Sequence, residues 1–204
     1  VGRARVGGKR GGQVCSALES RNRFGRLALV LDIRTNPGGS AEAAKETAGQ
    51  FLPDGALFGY VEGLDGERTE VTIDPSEDRL NLDDLLLAVL VNEQTSREAE
   101  TLAAALQDAG RARLFGTSTF GDPSAYGFVE LSDGSAMYLP ISRRYAPSGK
   151  LLGRAGLEPD VLVESVPEEE GYGGESQFNR AYEDPDGRSE ERRGGQEVSS
   201  RCTP

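Results

Sequence analysis

Two apolar runs, Leu27-Ala28-Leu29-Val30-Leu31-Asp32-Ile33 and Leu85-Leu86-Leu87-Ala88-Val89-Leu90-Val91, each lead through a turn into a helical pattern. Runs apolar at nearly every position describe strands buried on both faces, as in a parallel sheet covered by helices. A chain with two such strand–turn–helix units is thereby confined to the α/β class. In the second unit Thr95 followed by Glu98 matches a capping box, which predicts a helix from about Ser96. Ala99, Leu102, Ala103, Leu106 and Ala109 recur at helical spacing and are expected to face a core. Gly110 is placed to end this helix, and Leu114-Phe115-Gly116 to begin the next strand.

In the first unit Arg34-Thr35-Asn36-Pro37-Gly38-Gly39 makes a tight turn. Ser40 is an N-cap for a helix from residue 41 to about 52, with Ala41, Ala44, Ala48, Phe51 and Leu52 on one face. Gly38 and Gly39 allow close backbone approach and can present N–H groups to an anion or oxyanion. An elbow that opens a helix offers the same donors to developing negative charge. Residues 91–122 are therefore where a chemical centre is expected.

Hairpins are expected over residues 56–73, turning at 63–66, and over 127–141, turning at Ser132-Asp133-Gly134. Residues 1–6 alternate as a half-exposed strand does, 7–12 read as a loop, 13–24 as a weakly patterned helix, and 161–163 as a last short strand. The 204 residues suffice for one domain with a real core. Hydrophobic content of 36% and a mean hydropathy of -0.48 imply long polar stretches outside it. A boundary near Ser165 divides a core domain, 1–165, from an acidic, mostly disordered tail, 166–204, in which a short helix near 176–182 is allowed.

The net charge of -11 argues against sequence-independent nucleic-acid binding. The basic start (Arg3, Arg5, Lys9, Arg10, Arg21, Arg23, Arg26) reads as a solvated edge. No apolar run spans a membrane. Cys15 and Cys202 have no metal-ligand spacing, and neither metal nor cofactor is called for. The chain has no histidine, which excludes a Ser-His-Asp triad, a Cys-His pair and histidine-ligated zinc. A nucleophilic centre would need another base, and lysine is the usual substitute; the chain has Lys9, Lys45 and Lys150.

Several stretches, in order, resemble the C-terminal processing (tail-specific) proteases, the S41 serine peptidases. They are LALVLDIRTNPGGSAEAAKETAGQFLPDG, LLAVLVNEQTSREAETLAAALQDAGRARLFGTSTFG, ELSDGSAMYLPISRRYAPSGK and GLEPDV, within about residues 25–163. The resemblance implies a crotonase-like (ClpP/crotonase) α/β core of stacked strand–helix units. It implies a serine nucleophile served by a neutral lysine, with backbone N–H groups of the NPGG turn and the elbow holding the oxyanion. It also implies polypeptide substrates, protein C-termini or unfolded chains, and an extracytoplasmic location whose targeting segment is missing here, along with the peptide-binding PDZ module.

Carried over residue by residue, the resemblance departs at the chemistry. The family elbow reads roughly N-x-x-T-A-S-A-S/A-E; aligned on Asn92, Thr95 and Glu100, Arg97 holds the serine position. The family lysine follows a Phe-Gly pair; after Phe120-Gly121 this chain has Asp122. Arg97 and Asp122 are expected to pair where the dyad would stand. Ser96, the substitute nucleophile to consider, is one position early, and one residue turns a side chain by about 100° around a helix. Gly38 and Gly39 remain for the oxyanion, with Glu100, Gln107, Asp108 and Gly121 as supporting frame. The expectations are thus a peptidase domain whose activity is lost in this copy, or a non-catalytic peptide-binding module. An acyl-CoA enzyme of the wider crotonase-like group is the reading from another class, disfavoured by the closing hairpin and GLEPDV.

Overall fold

A computed structural model describes residues 2–5, 28–76, 79, 82, 85–164 and 180–181. The expected loop at 7–12, the helix at 13–24, both cysteines and nearly all of the tail lie outside them. Arg180 and Ala181 have helical backbone, within the stretch where a short helix was allowed.

Two sheets carry the fold. The first is parallel, with strand order β1 (Gly2–Arg5), β2 (Ala28–Asp32), β5 (Leu86–Val91), β6 (Arg113–Gly116), β9 (Val161–Leu162). The second is antiparallel, with order β4 (Arg68–Thr72), β3 (Leu57–Gly63), β8 (Ala136–Tyr145), β7 (Ser124–Glu130). Helix α1 (Ala41–Gly49) follows β2, and α2 (Glu98–Asp108) follows β5. The chain is thus α/β, with both parallel and antiparallel sheets.

Alternation along β2 and β5 explains their apolar runs. Leu29, Leu31, Ile33, Leu87, Val89 and Val91 join the main core with α1 and α2. Val30, Ala88 and Leu90 point the other way, onto Phe115 and Ala181. Both faces are covered, as strands without a polar face require.

The helices differ from expectation in three respects. α1 ends at Gly49 rather than near residue 52; Phe51 and Leu52 are buried beyond its end, whereas Ala41 is exposed. α2 starts at Glu98, not Ser96, with Arg97 as its N-cap. α2 is also buried all round from Glu98 to Leu106, not along one stripe, and Ala109 is exposed past its end. The first sheet covers one side of α2, while α1 and β3 cover others, so small residues are needed on several faces. Ala99, Ala103, Ala104 and Ala105 meet that need.

The second sheet is drier on paper than in space. Along the β7–β8 hairpin Phe128 is 76% and Tyr138 58% exposed, and their rings pack 5.1 Å apart with Tyr126 stacked at 5.4 Å from Tyr138.

Candidate functional site

Because β2 and β5 are adjacent and parallel, the turns that follow them emerge side by side. Side chains and main chain zip them together. Thr35 N donates to Asn92 Oδ1 (2.8 Å), Ser96 N to Asn36 O (3.0 Å) and Gly39 N to Glu98 Oε2 (3.1 Å). Thr95 does not cap α2. Its hydroxyl donates to Ile33 O (3.0 Å) and accepts from Asn92 N (3.1 Å), so it fastens the strand ends instead.

Arg97 sits at the bend between β5 and α2 with φ 55 and ψ -118. A non-glycine residue there stores backbone strain, of the kind that persists only where surroundings enforce it. Glu100 is the enforcer. Its carboxylate is fully buried and accepts from Arg97 N (2.9 Å), Gly121 N (2.7 Å), Asp122 N (3.1 Å) and the Thr119 hydroxyl. One acid thus holds the elbow and the 119–122 segment in a common frame. Arginine has no acceptor, so only the Glu100 half of a capping box exists here.

That frame brings the side chains of Arg97 and Asp122 together. Arg97 Nε donates to Asp122 Oδ2 at 3.1 Å, with side chains 46% and 16% exposed. The guanidinium also stands 5.6 Å from the Tyr126 ring. The hydrogen bond to Asp122 holds Arg97 above its usual range against the opposing effect of desolvation, and the negative charges of Asp122 and Glu98 add to it. An exposed pair like this contributes about 0.2–1 kcal/mol.

The glycine turn is occupied from within. Gly38, at φ 99, donates N–H to Asn36 Oδ1 at 3.0 Å. A Cβ on Gly38 would stand 2.6 Å from Glu98 Oε2 and 2.9 Å from Arg97 Cβ, so the two turns meet at bare backbone. Glu98 turns one carboxylate oxygen to Gly39 N and the other to the Arg144 guanidinium; each partner of that ion pair is 12% exposed. Arg144 Nη1 in turn donates to Ser124 O at 3.2 Å. Sequence reasoning missed this Glu98–Arg144 arrangement. Its signal in the sequence is an acid at a helix start rich in alanine, whose spacing from Thr95 also fits a cap.

The remaining candidates fall at the rim of this frame. Gln107 donates to Glu158 O (3.1 Å), and Asp108 accepts from Ser148 N (2.9 Å), so both tie α2 to the 146–158 segment. Gly121 has φ 82, and a Cβ there would meet Gly153 O at 2.7 Å. Ser96 is 9% exposed, with its carbonyl accepting from Ala99 N at 3.2 Å. Lys45 is turned to Asp74 (2.6 Å), and that hydrogen bond, aided by Glu42, keeps its ammonium protonated above the usual range. Lys150 is exposed in the turn after β8. Among the described residues no His/Cys/Asp/Glu cluster is placed to hold a metal ion.

Against this geometry the comparisons with known proteins fall into place. The sequence profile of peptidase family S41 matches residues 5–163. A carboxyl-terminal-processing protease of Synechocystis sp. is 33% identical over 152 residues, 74% of this chain and 34% of that protein. A probable CtpA-like serine protease of Staphylococcus aureus is 28% identical over 155 residues, 76% of this chain and 31% of that protein. The chain thus spans about a third of the length of the curated relatives it matches. The photosystem II D1 C-terminal processing protease superposes with a TM-score of 0.71 at 29% identity, over 81% of this chain and 43% of its own. The fold alone is shared with mature CPAF (TM-score 0.69, 15% identity, 86% of this chain and 49% of that one). The chain belongs to peptidase family S41, the family of the carboxyl-terminal-processing serine proteases.

Proposed function

We propose that this chain is an S41 domain that binds polypeptide without cleaving it. The observation that carries the reading is the Arg97–Asp122 ion pair at the positions aligned with the family's nucleophile and base. A guanidinium cannot attack a carbonyl, and a carboxylate engaged by that guanidinium does not replace a neutral lysine. Neither lysine of the described residues supplies the missing base: Lys45 is held protonated by Asp74, and Lys150 is exposed on a distant turn. Ser96 is buried and tied into the elbow by its backbone, which favours a structural part for it.

What remains suits binding. The turn glycines, the buried Glu100 frame and the apolar surroundings are those of a peptide cleft without its reactive pair. The stacked strand–turn–helix units fit a crotonase-like core, and residues 1–165 fit a single domain. The occupant we propose is a protein C-terminus or an unfolded chain. The extracytoplasmic location implied by the resemblance goes with this reading, and fractionation of cells expressing the protein checks it.

The test incubates the purified chain with an unfolded protein ending in an apolar tail. Binding without cleavage is the expected result. Cleavage by the unaltered chain, lost in Glu100→Gln, would overturn the reading, and so would the absence of both binding and cleavage. An Arg97→Ser, Glu98→Ala, Asp122→Lys variant, which restores the family's residues at three positions, is expected to regain slow cleavage.

A further inference from the structure

We infer that Glu98 is a built-in occupant of a carboxylate site, and that the carboxylate end of a peptide with an apolar last side chain competes with it. The inference rests on the polypeptide-binding reading and names the chemistry of the ligand. Three observations point to it. The first is the pair of groups that hold Glu98: the Gly39 amide at 3.1 Å on one oxygen and the Arg144 guanidinium on the other. A backbone N–H and a guanidinium that converge on one carboxylate recognise any carboxylate of that shape.

The second is what lies beside it. Glu98 and Arg144 form part of the wall of a cavity of about 110 Å³, whose other walls include Phe58, Tyr60, Val61 and Val71. The lining is predominantly apolar, and the space is that of one aliphatic side chain. A ligand that fits both features carries its carboxylate next to an aliphatic group, as the last residue of a peptide does. The third is that the interaction depends on one side chain reaching 59 residues back in sequence to a turn, where Gly38 leaves no room for any side chain of its own. Glu98 can withdraw by rotation about its own bonds, with no movement of the backbone frame that Glu100 holds.

Glu98 therefore makes the free protein a weak binder by intramolecular competition. The test measures binding of acetyl-Ala-Ala-Ala-Leu, as the free acid and as the C-terminal amide, by calorimetry. The proteins are the unaltered chain, Glu98→Ala, Glu98→Gln and Glu98→Ala with Arg144→Gln, each checked for folding by circular dichroism. The free acid is expected to bind Glu98→Ala at least tenfold more tightly than the unaltered chain, with the amide changed less than twofold. The Arg144→Gln addition is expected to abolish the gain. Glu98→Gln, which preserves volume, is expected to show a smaller acid-selective gain of about threefold, and it decides the matter if Glu98→Ala does not fold. An equal gain for acid and amide, or no gain for either in a folded variant that binds peptide, would overturn the inference while leaving polypeptide binding intact. Failure of every folded variant to bind either peptide would sink both readings together. Cleavage of an unfolded protein by the unaltered chain would overturn the non-cleaving reading alone.

Discussion

The turn after β2 and the turn after β5 share one architecture and start their helices by different means. The first carries positive φ at Gly38, where the backbone tolerates it, and also at Thr35 (φ 56), and caps α1 with the Ser40 hydroxyl, which accepts from Ala43 N at 3.4 Å. The second places a positive φ on Arg97 and has no side-chain acceptor at the cap. By local rules α1 has the better start. Yet α2 is the longer helix and is buried throughout its first nine residues, while α1 is partly exposed. Tertiary bonds decide the second turn: Glu100 accepts from the Arg97 N–H within the elbow and, across to another segment, from Gly121 N, Asp122 N and the Thr119 hydroxyl.

The largest effect that could break this comparison comes from the two caps themselves. Glu100→Ala leaves Arg97 N, Gly121 N, Asp122 N and the Thr119 hydroxyl without their acceptor. Buried donors left unmade cost about 1–3 kcal/mol each before relaxation, so a loss of about 4 kcal/mol is expected. Ser40→Ala should cost about 1 kcal/mol. Thermal and denaturant melts of both variants give the ratio; similar losses would remove Glu100 from its organising place.

Next in size is Gly38→Ala, expected to cost about 3 kcal/mol from positive φ plus a collision with Glu98 and Arg97. Gly55 has φ 75 with open space around its missing Cβ, so Gly55→Ala should cost about 1 kcal/mol. If the two losses match, the close meeting of the turns is not what Gly38 serves.

Smaller still, and of opposite sign, is Arg97→Gly. It removes a strain of about 1–3 kcal/mol and an exposed ion pair of about 0.2–1 kcal/mol, for a net gain of about 1 kcal/mol. Arg97→Ala keeps the strain and loses the pair, a loss of about 0.5 kcal/mol. A destabilised glycine variant would show that the elbow backbone is relaxed and the comparison mistaken.

The smallest effect lies away from both turns, in the antiparallel sheet. Hydrogen bonds from Arg68 and then from Tyr145 hold the Glu62 carboxyl below its ordinary value. A lowered folded value means that its contribution is present above about pH 4.5 and is lost as pH falls through the folded value. Stability curves of the unaltered chain and Glu62→Gln should therefore differ slightly at neutral pH and converge under acid. Curves that stay parallel would refute the coupling.

Strands and hairpins were legible in the sequence because their signals are local: apolar runs at 27–33 and 85–91, alternation on either side of Asp133-Gly134. The paired positions 97 and 122 were legible by alignment. Less was legible where distant segments meet. The stripe read for α2 missed Glu100, Ala104 and Ala105, because periodicity describes a helix with one covered side and this one has several. The spacing of Thr95 and Glu98 fits a cap, yet the hydroxyl donates to Ile33 O and the carboxylate is held by Gly39 and Arg144. No spacing rule encodes partners that lie 46 to 62 residues away.

Glu100 hydrogen-bonds the main chain of residues 97, 121 and 122, and among the described residues the one side chain it engages is that of Thr119. A clamp that grips peptide groups is indifferent to the side chains those peptide groups carry. Positions 97 and 122 can therefore exchange residue types without disturbing the fold around them. The placement of the 97 and 122 backbone is thus set by Glu100 and not by the side chains that these two positions carry.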